Sequence, residues 1–287
     1  IWSIGDTIYI CGENSKILKS IDQGSHWVIL GDFIVSHRFR TIFFPENSSV
    51  GYVFGDDGAG YKTINGGNTW ASLNLGVREH IYGAYFLNND IGFICGENGL
   101  IMKTTNGGAS WVRYSPTPAV PFHNVWFVNQ NIGFVCGENG YILKTTNSGE
   151  SWFPFGTIDP IFFTDIIFPT HPDTGYVSAL NGIIGKTTGL GWNLNIITSV
   201  DLLAIHFPQN NRVGWCVGRQ GLILKTSTGG VSFVTEEKNK FDGKKNFNKS
   251  STEIFLPIGS KLSNKKLKRG IYFIKENKIF SKKIIIN

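Results

Sequence analysis

The stretch Lys103-Thr104-Thr105-Asn106-Gly107-Gly108-Ala109-Ser110-Trp111 decides the architecture, because the chain repeats it at a fixed spacing. Five related copies close with an aromatic residue, at Trp27, Trp70, Trp152, Trp192 and Phe233. The closing aromatics therefore recur every 40 to 43 residues along the 287-residue chain. A constant period of this length indicates a repeat architecture, in which one small unit stacks against the next.

Each period reads as four short β-strands, most clearly in the third copy at 82–87, 91–96, 100–104 and 110–114. The second and third of these segments are joined by Glu97-Asn98-Gly99, and Asn-Gly is a strong signal for a tight hairpin. No segment carries a 3.6-residue apolar period, so almost no helix is expected. The pattern predicts an all-β propeller of four-stranded antiparallel blades, with six visible here and a seventh conceivable in the intact protein.

One aromatic slot recurs in the first strand of successive repeats. It is occupied by Phe44, Phe86, Phe127, Phe168 and Phe207. A second apolar slot lies two residues earlier, on the same face of the strand by the period-two rule. It is occupied by Ile42, Ala84, Val125, Ile166 and Ile205. We interpret both slots as positions where neighbouring blades pack.

The segment 20–27 reads Ser-Ile-Asp-Gln-Gly-Ser-His-Trp and resembles the Asp-box of bacterial neuraminidase (BNR) repeats, Ser-x-Asp-x-Gly-x-x-Trp. The later copies, with Asn in place of Asp, are similar to the photosystem II stability/assembly factor branch. The resemblance extends to about residue 235 and implies a propeller. It also implies a protein partner held by an arginine patch, for which we consider Arg38, Arg40 and Arg78.

The Asp-box residues are expected to stabilise their own turns, since short polar side chains commonly hydrogen-bond the backbone two residues on. These structural residues are Asp22, Gly24, Trp27, Asn65, Trp70, Asn106, Trp111, Asn147 and Trp152. Binding is instead expected on the opposite face, at the mouth of the central channel. The candidate binding residues are Arg38, Arg40, Arg78, His80, His123, Glu97, Glu138 and Asp165. Solvated turn charges are the alternative interpretation of the same residues.

An enzyme is not the favoured interpretation. A sialidase needs three arginines around a carboxylate and a Tyr–Glu pair, and the sequence shows no clear counterpart. A glycoside hydrolase of the xyloglucanase type needs two facing carboxylates, for which Asp165 and Asp201 are the available pair. We therefore expect no catalytic residues, no metal site and no cofactor, with a glycoside hydrolase as the alternative. A surface adhesin or spacer module is the third hypothesis.

The composition changes after Glu237. Residues 238–287 hold 14 Lys and Arg against 3 acidic residues, whereas residues 1–237 hold 13 against 18. We therefore predict a propeller over 1–237, a basic linker over 238–252 and a β segment over 253–287 that serves sorting or anchoring. Segment 267–287 resembles the sorting domain recognised by the type IX secretion system.

This resemblance implies a bacterial protein that is secreted or displayed on the cell surface by way of the periplasm. The secretion machinery would then be one partner, bound through the tail. The other is a protein or glycan on the channel-mouth face. Nucleic acid is not expected as a partner, because the propeller next to the basic tail is acidic. We also expect no transmembrane segment, a monomer, and four free cysteines.

Overall fold

The computed structural model describes residues 1–31, 33, 36–116, 118–158, 160–189, 191–208 and 212–230, with the backbone of strands at 253–255, 270–276 and 279–286. These residues form a six-bladed, all-β propeller, as predicted. Each blade is an antiparallel sheet whose strands follow one another in chain order, so short hairpin turns and loops connect them.

Blade 1 contains β1 (Trp2–Ile4), β2 (Thr7–Cys11), β3 (Ile17–Ser20) and β4 (Val28–Leu30). Blade 2 contains β5 (Phe39–Phe43), β6 (Gly51–Gly55), β7 (Gly60–Thr63) and β8 (Ala71–Ser72). Blade 3 contains β9 (Ile81–Phe86), β10 (Gly92–Gly96), β11 (Ile101–Thr104) and β12 (Val112–Tyr114). Blade 4 contains β13 (Phe122–Phe127), β14 (Gly133–Gly137), β15 (Tyr141–Thr145) and β16 (Phe153–Thr157).

Blade 5 contains β17 (Phe163–His171), β18 (Thr174–Ala179), β19 (Ile183–Thr187) and β20 (Trp192–Ile196). Blade 6 has three described strands, β21 (Leu202–His206), β22 (Gly214–Gly218) and β23 (Ile223–Thr226). A further antiparallel sheet consists of β24 (Glu253–Phe255), β25 (Gly270–Glu276) and β26 (Ile279–Ile286). Phe233 and the predicted linker at 238–252 lie outside the described residues.

Aromatic stacks join successive blades. Phe86 in blade 3 stacks on Tyr52 of blade 2, with ring centroids 3.9 Å apart. The same stack occurs at four other joints, between Tyr9 and Phe44, Phe93 and Phe127, Phe134 and Phe168, and Tyr176 and Phe207. All ten rings are buried. The recurring phenylalanine slot is therefore a blade-packing position, as the sequence predicted.

Hydrogen bonds reinforce these joints. The Lys62 ammonium of blade 2 donates to the Gly107 carbonyl of blade 3 over 2.8 Å, and the Tyr52 hydroxyl donates to Asn89 over 2.6 Å. Lys19 makes the corresponding bond to Gly66, at 2.9 Å. In blades 1 and 2 the lysine that opens the repeated phrase thus stabilises the joint with the next blade, a function that its position in a turn motif did not reveal.

The hairpins between the second and third strands adopt the predicted conformation. Asn98 and Gly99 both have positive φ, 53° and 69°, within a single 3₁₀ turn over Glu97–Gly99. Turns of this kind occur in blades 2 to 6, and they are the helical elements within the described part of the chain. All four cysteines are buried and free, as expected.

Candidate binding face at the mouth of the central channel

A β-bulge recurs at the start of the first strand in blades 2 to 6. In β5 the pairing with β6 skips one residue between Phe39 and Thr41, so Arg40 is left unpaired in the ladder. The other residues in this position are Tyr82, His123, Thr164 and Leu203. A bulge re-aims the extra side chain away from the regular alternation of the strand. Here it directs successive side chains towards the neighbouring blades at the channel mouth.

Three of these bulge residues form a stacked arc with Phe162. The Arg40 guanidinium lies over the Tyr82 ring, 4.9 Å from its centroid. Tyr82 stacks on His123 with centroids 5.0 Å apart and planes 13° apart. His123 in turn lies 4.4 Å from Phe162. We call these four residues the stacked arc. It crosses four blades, and cation–π and aromatic contacts hold each member to the next.

Carboxylates engage the arc from the neighbouring turns. Both oxygens of Asp56 accept hydrogen bonds from the Arg40 guanidinium. Glu97 accepts hydrogen bonds from the Tyr82 hydroxyl at 3.1 Å and from the His80 backbone N–H at 3.0 Å. Burial, together with the Glu97 carboxylate, raises the pKa of Tyr82 to about 12. Tyr82 is therefore a neutral donor at any physiological pH.

The two histidines of this face have different surroundings. His80 Nδ1 accepts a 3.0 Å hydrogen bond from the Asp57 backbone N–H, and its Nε2 lies 3.8 Å from Glu97 Oε1. His123 is more deeply buried, and its Nε2 lies 3.4 Å from Glu138 Oε1 without making a hydrogen bond. Burial lowers the pKa of His123 below its usual 6.5, and Glu138 only partly opposes the shift. The His123 ring is therefore uncharged at neutral pH.

The arc is bordered by more negative than positive charge. Four carboxylates, at Asp56, Asp57, Glu97 and Glu138, face one arginine, Arg40, which gives a formal charge of −3. Asp57 is the most accessible of these carboxylates, with its side chain 75% exposed. We call the stacked arc together with these four carboxylates the acidic sector. Its carboxylates hold cationic groups more readily than anionic ones.

A second polar group continues the face into blades 4 to 6. The Asn124 amide donates to Asp165 Oδ1, and Asp165 Oδ2 accepts a 2.9 Å hydrogen bond from the Ile205 backbone N–H. Asp165 Oδ1 also accepts from the Ile166 N–H at 2.9 Å. Asp165 thus joins the first strands of three blades, and its carboxylate serves to hold them in register.

The three arginines considered for a patch differ in how closely a carboxylate pairs with them. Arg40 is already paired with Asp56, and Arg38 lies 3.8 Å from Glu13. Arg78 lines an open depression of about 430 Å³ between blades 2 and 3, beside the Arg113–Glu79 ion pair at 2.7 Å. Although burial opposes it, the hydrogen bond from Arg113 lowers the pKa of Glu79. Of the three arginines, Arg40 alone is closely paired with a carboxylate, whereas Arg38 and Arg78 are exposed at the edge of this face.

The Asp-box residues hydrogen-bond within their own turns. Asn106 Oδ1 accepts from the Ser110 N–H at 2.9 Å, while Thr104 Oγ1 accepts from the Gly108 N–H at 2.9 Å. The side-chain oxygens of Asn65, Asn147 and Asp22 accept the same bond from the backbone N–H groups of Thr69, Ser151 and His26.

The tryptophans that close the Asp-box turns are held in place by their own contacts. In the first turn the Gly24 carbonyl accepts a hydrogen bond from the Trp27 indole at 3.0 Å. Trp70, Trp111 and Trp152 pack edge-on against Phe44, Phe86 and Phe127.

The carboxylates considered for glycoside hydrolysis are both engaged. Asp165 accepts the hydrogen bonds described above, and Asp201 lies 3.2 Å from Arg219 and accepts from the Asn181 N–H at 3.0 Å. Within the described ranges, no three His, Cys, Asp or Glu side chains are grouped so as to hold a metal ion. In the same residues no helix has the length and apolar character needed to cross a membrane.

Tyr82, Phe162 and Asn124 were absent from the residues selected in the sequence. Tyr82 lies two residues before the apolar slot at Ala84, as Arg40 and His123 lie two residues before Ile42 and Val125. Alignment of the six repeats at that slot could have identified the bulge position. The stacking itself could not have been identified, because it depends on the angle between neighbouring blades.

Comparison with known proteins agrees with this architecture. Residues 62–157 match the family model described as Photosynthesis system II assembly factor YCF48. The repeats in this stretch of the propeller are therefore similar to YCF48-like BNR repeats. The matched stretch begins in the third strand of blade 2 and ends with blade 4, so it includes Tyr82, Glu97, His123 and Glu138.

Solved structures extend the likeness over most of the chain. "YCF48 bound to D1 peptide" superposes with a TM-score of 0.65 at 19% identity, covering 78% of this chain and 75% of that one. An ancestral GH74 enzyme superposes with a TM-score of 0.68 at 14% identity, covering 98% of this chain and 45% of that one. At these identities the likeness shows the fold alone.

A curated relative matches a shorter stretch. Vacuolar protein sorting/targeting protein 10 of Emericella nidulans is 30% identical over 71 residues, which are 24% of this chain. The match spans only 5% of that much longer protein. A match of this extent carries no information on a shared activity.

Proposed function

We propose that the chain is a non-catalytic binding propeller that holds an extended, basic polypeptide segment of a protein partner across the channel mouth. The observation that carries the proposal is the acidic sector, in which carboxylates from three successive blades border the stacked arc. The similarity to a YCF48 propeller with a bound peptide supports a polypeptide partner at the level of the fold.

The stacked arc gives this surface a fixed shape. Arg40, Tyr82 and His123 each contact the next member, and Asp56 and Glu97 anchor the arc through hydrogen bonds. A surface that is already ordered loses little conformational entropy when a partner binds. The mouth can therefore bind a flexible segment without first being rearranged.

The charges determine which segment fits. Arg40 is neutralised within the chain, whereas Asp57 is largely exposed, and among the described residues its ion-pair partner is the His80 ring, 3.8 Å away. Lysine or arginine side chains of a partner would pair with Asp57, Glu97 and Glu138. Complementary charge of this kind accelerates association and selects against acidic segments.

The proposal can be tested by fluorescence anisotropy with two labelled peptides of equal length. One alternates lysine and arginine with tyrosine, and the other has glutamate in place of every basic residue. We expect the basic peptide to bind the full chain and the acidic peptide to bind at least about tenfold more weakly. Raising the salt concentration should weaken the basic complex, because exposed ion pairs are screened.

Asp57→Asn provides the decisive variant, since it removes one exposed charge from the sector. We expect it to weaken the basic complex by about two- to fivefold, as for a partly screened ion pair. Glu150→Gln removes the same charge from an exposed Asp-box turn and is the matched control. Tighter binding of the acidic peptide, or equal effects of the two variants, would contradict the proposal. Turnover of a xyloglucan oligosaccharide would favour the glycoside hydrolase instead.

A further inference from the structure

A cavity of about 320 Å³ follows the propeller axis and is lined by first strands of all six blades. Away from the mouth it is surrounded by side chains from one equivalent position in each blade. We call them the aromatic collar: Trp2, Phe43, Tyr85, Trp126, Ile167 and His206. Each pairs across its blade with an aromatic residue of the second strand. Five of the six members are aromatic.

The rings of the first four blades form a nearly continuous wall. The Trp2 and Phe43 centroids are 3.8 Å apart, those of Phe43 and Tyr85 are 5.4 Å apart, and those of Tyr85 and Trp126 are 5.2 Å apart. Phe43 is almost fully buried in the blade core, while the other three are partly accessible. The cavity is therefore bordered by aromatic rings on the side of blades 1 to 4.

Most polar atoms of this wall already make hydrogen bonds within the protein. The Trp2 indole donates to the Phe44 carbonyl at 2.7 Å, and the Trp126 indole donates to the Phe168 carbonyl at 3.0 Å. Both bonds join adjacent blades. The Tyr85 hydroxyl, in contrast, has no hydrogen-bond partner among the described residues. Burial raises the pKa of Tyr85, which keeps this hydroxyl a donor.

Water is weakly bound beside such a wall. A buried water is stable when it makes two to four hydrogen bonds, whereas these four rings offer it one uncommitted group, the Tyr85 hydroxyl, and the hydroxyls of Ser3 and Thr41 belong to the rest of the lining. Replacing weakly held water by an apolar group gains affinity. The volume lies at the small end of the range for ligand pockets, which are mostly apolar with a few convergent polar groups.

We propose that the aromatic collar binds a small planar aromatic molecule of one or two fused rings that carries a hydrogen-bond acceptor. The ligand ring packs against the accessible rings of Trp2 and Trp126, and its acceptor atom accepts a hydrogen bond from the Tyr85 hydroxyl. Offset or edge-on contacts are favoured between such rings. The site lies inside the channel and does not depend on the peptide-binding function.

Quinoline is a suitable probe, because it has two fused rings and one acceptor nitrogen. We expect isothermal titration calorimetry of the full chain to give a Kd at or below the millimolar range, with no binding of glucose. Tyr85→Phe keeps the ring and removes the hydroxyl, so we expect it to weaken quinoline binding by about three- to tenfold. Tyr61→Phe, outside the cavity, is the matched control and should leave the affinity unchanged.

Ser3→Leu tests the cavity itself. Ser3 is exposed and lines the cavity, so the longer side chain occupies ligand space without disturbing the blade core. We expect this variant to lose quinoline binding while its unfolding midpoint stays unchanged. The proposal is overturned if wild type fails to bind quinoline in the millimolar range. It is also overturned if Ser3→Leu binds as well as wild type, or if Tyr85→Phe and Tyr61→Phe have equal effects.

Discussion

At the scale of single residues, close contacts explain why glycine recurs at the start of the second strand. A Cβ atom on Gly92 would lie 2.2 Å from the Phe86 ring, and one on Gly51, Gly133 or Gly175 would lie 2.3 to 2.6 Å from the corresponding phenylalanine. The ring is thus held between a glycine of its own blade and an aromatic residue of the preceding blade. The glycine is required by space, because its φ is not in the left-handed region.

Gly92→Ala should therefore destabilise the propeller by about 1–3 kcal/mol, the usual cost of overpacking a core. Gly12→Ala is the control, because no atom lies within 4 Å of its added Cβ and its φ is also not positive. Urea unfolding followed by tryptophan fluorescence measures both. Equal unfolding free energies for the two variants would show that the phenylalanine ring can move aside at no cost.

Asp22 should make the stability of blade 1 depend on pH. Although burial opposes it, hydrogen bonds from His26 and Ser20 lower the pKa of Asp22 from 3.8 to about 2. A carboxyl with a lowered folded-state pKa contributes stability above its unfolded pKa and loses it as pH falls through the folded value. The contribution should therefore be complete above about pH 4 and disappear towards about pH 2.

Asp22→Asn is the matched comparison, because Asn65, Asn106 and Asn147 fill the same position in other blades. We expect similar unfolding midpoints for both proteins at neutral pH, since this partly exposed ion pair contributes little. Between about pH 4 and pH 2 wild type should lose stability relative to the variant. Parallel pH profiles would refute the assigned role of the carboxylate.

At the scale of elements, the joints between blades are not all alike. Lys62 and Lys19 reach the next blade and donate to a backbone carbonyl. Lys103 occupies the same place in blade 3 and lies over the Phe93 ring, 5.8 Å from its centroid, without a hydrogen bond to blade 4. The same residue of the repeated phrase thus makes different interactions in different blades.

Lys62→Met should cost about 1–2 kcal/mol, because it removes a charged donor from a partly buried carbonyl. Lys103→Met should cost clearly less, since the methionine side chain keeps the contact with the ring. Chemical denaturation of the two variants measures the difference. A larger loss at Lys103 would mean that ring contacts, rather than the hydrogen bonds, hold the blades together.

At the scale of the whole molecule, opposite charges are segregated along the chain. Residues 1–237 have a net charge of −5 and residues 238–287 a net charge of +11. We propose that the basic segment directs export through the type IX secretion system, while the propeller binds its partner. The five aromatic stacks that join blades 1 to 6 in turn all lie within residues 9–207 and do not involve that segment, of which β26 lies beside β22 and the turn Arg219–Gly221.

Deletion of residues 238–287 should therefore leave the unfolding midpoint of the propeller nearly unchanged. In a bacterium with the type IX system, we expect the full chain at the cell surface and the shortened chain in the periplasm. Cell fractionation with surface proteolysis measures this. Delivery of the shortened chain to the cell surface would contradict the export proposal. Loss of folding would show that the segment is part of the propeller.

The sequence by itself determined the blades. The 40- to 43-residue period, the Asn-Gly turns and the phenylalanine slot depend on local preferences and on burial, which a repeated pattern displays directly. The strands of blade 3 were predicted to within two residues of their observed bounds.

Only the tertiary structure decided the binding face and the channel. The sequence indicated Arg40, His80, His123, Glu97 and Glu138, but not that Arg40 is neutralised by Asp56 or that Tyr82 lies between Arg40 and His123. It also gave no sign of the aromatic collar, whose members are about 40 residues apart in the chain. These contacts arise from the closure of blades around an axis, and the angle of that closure is a property of the packed molecule rather than of any one repeat.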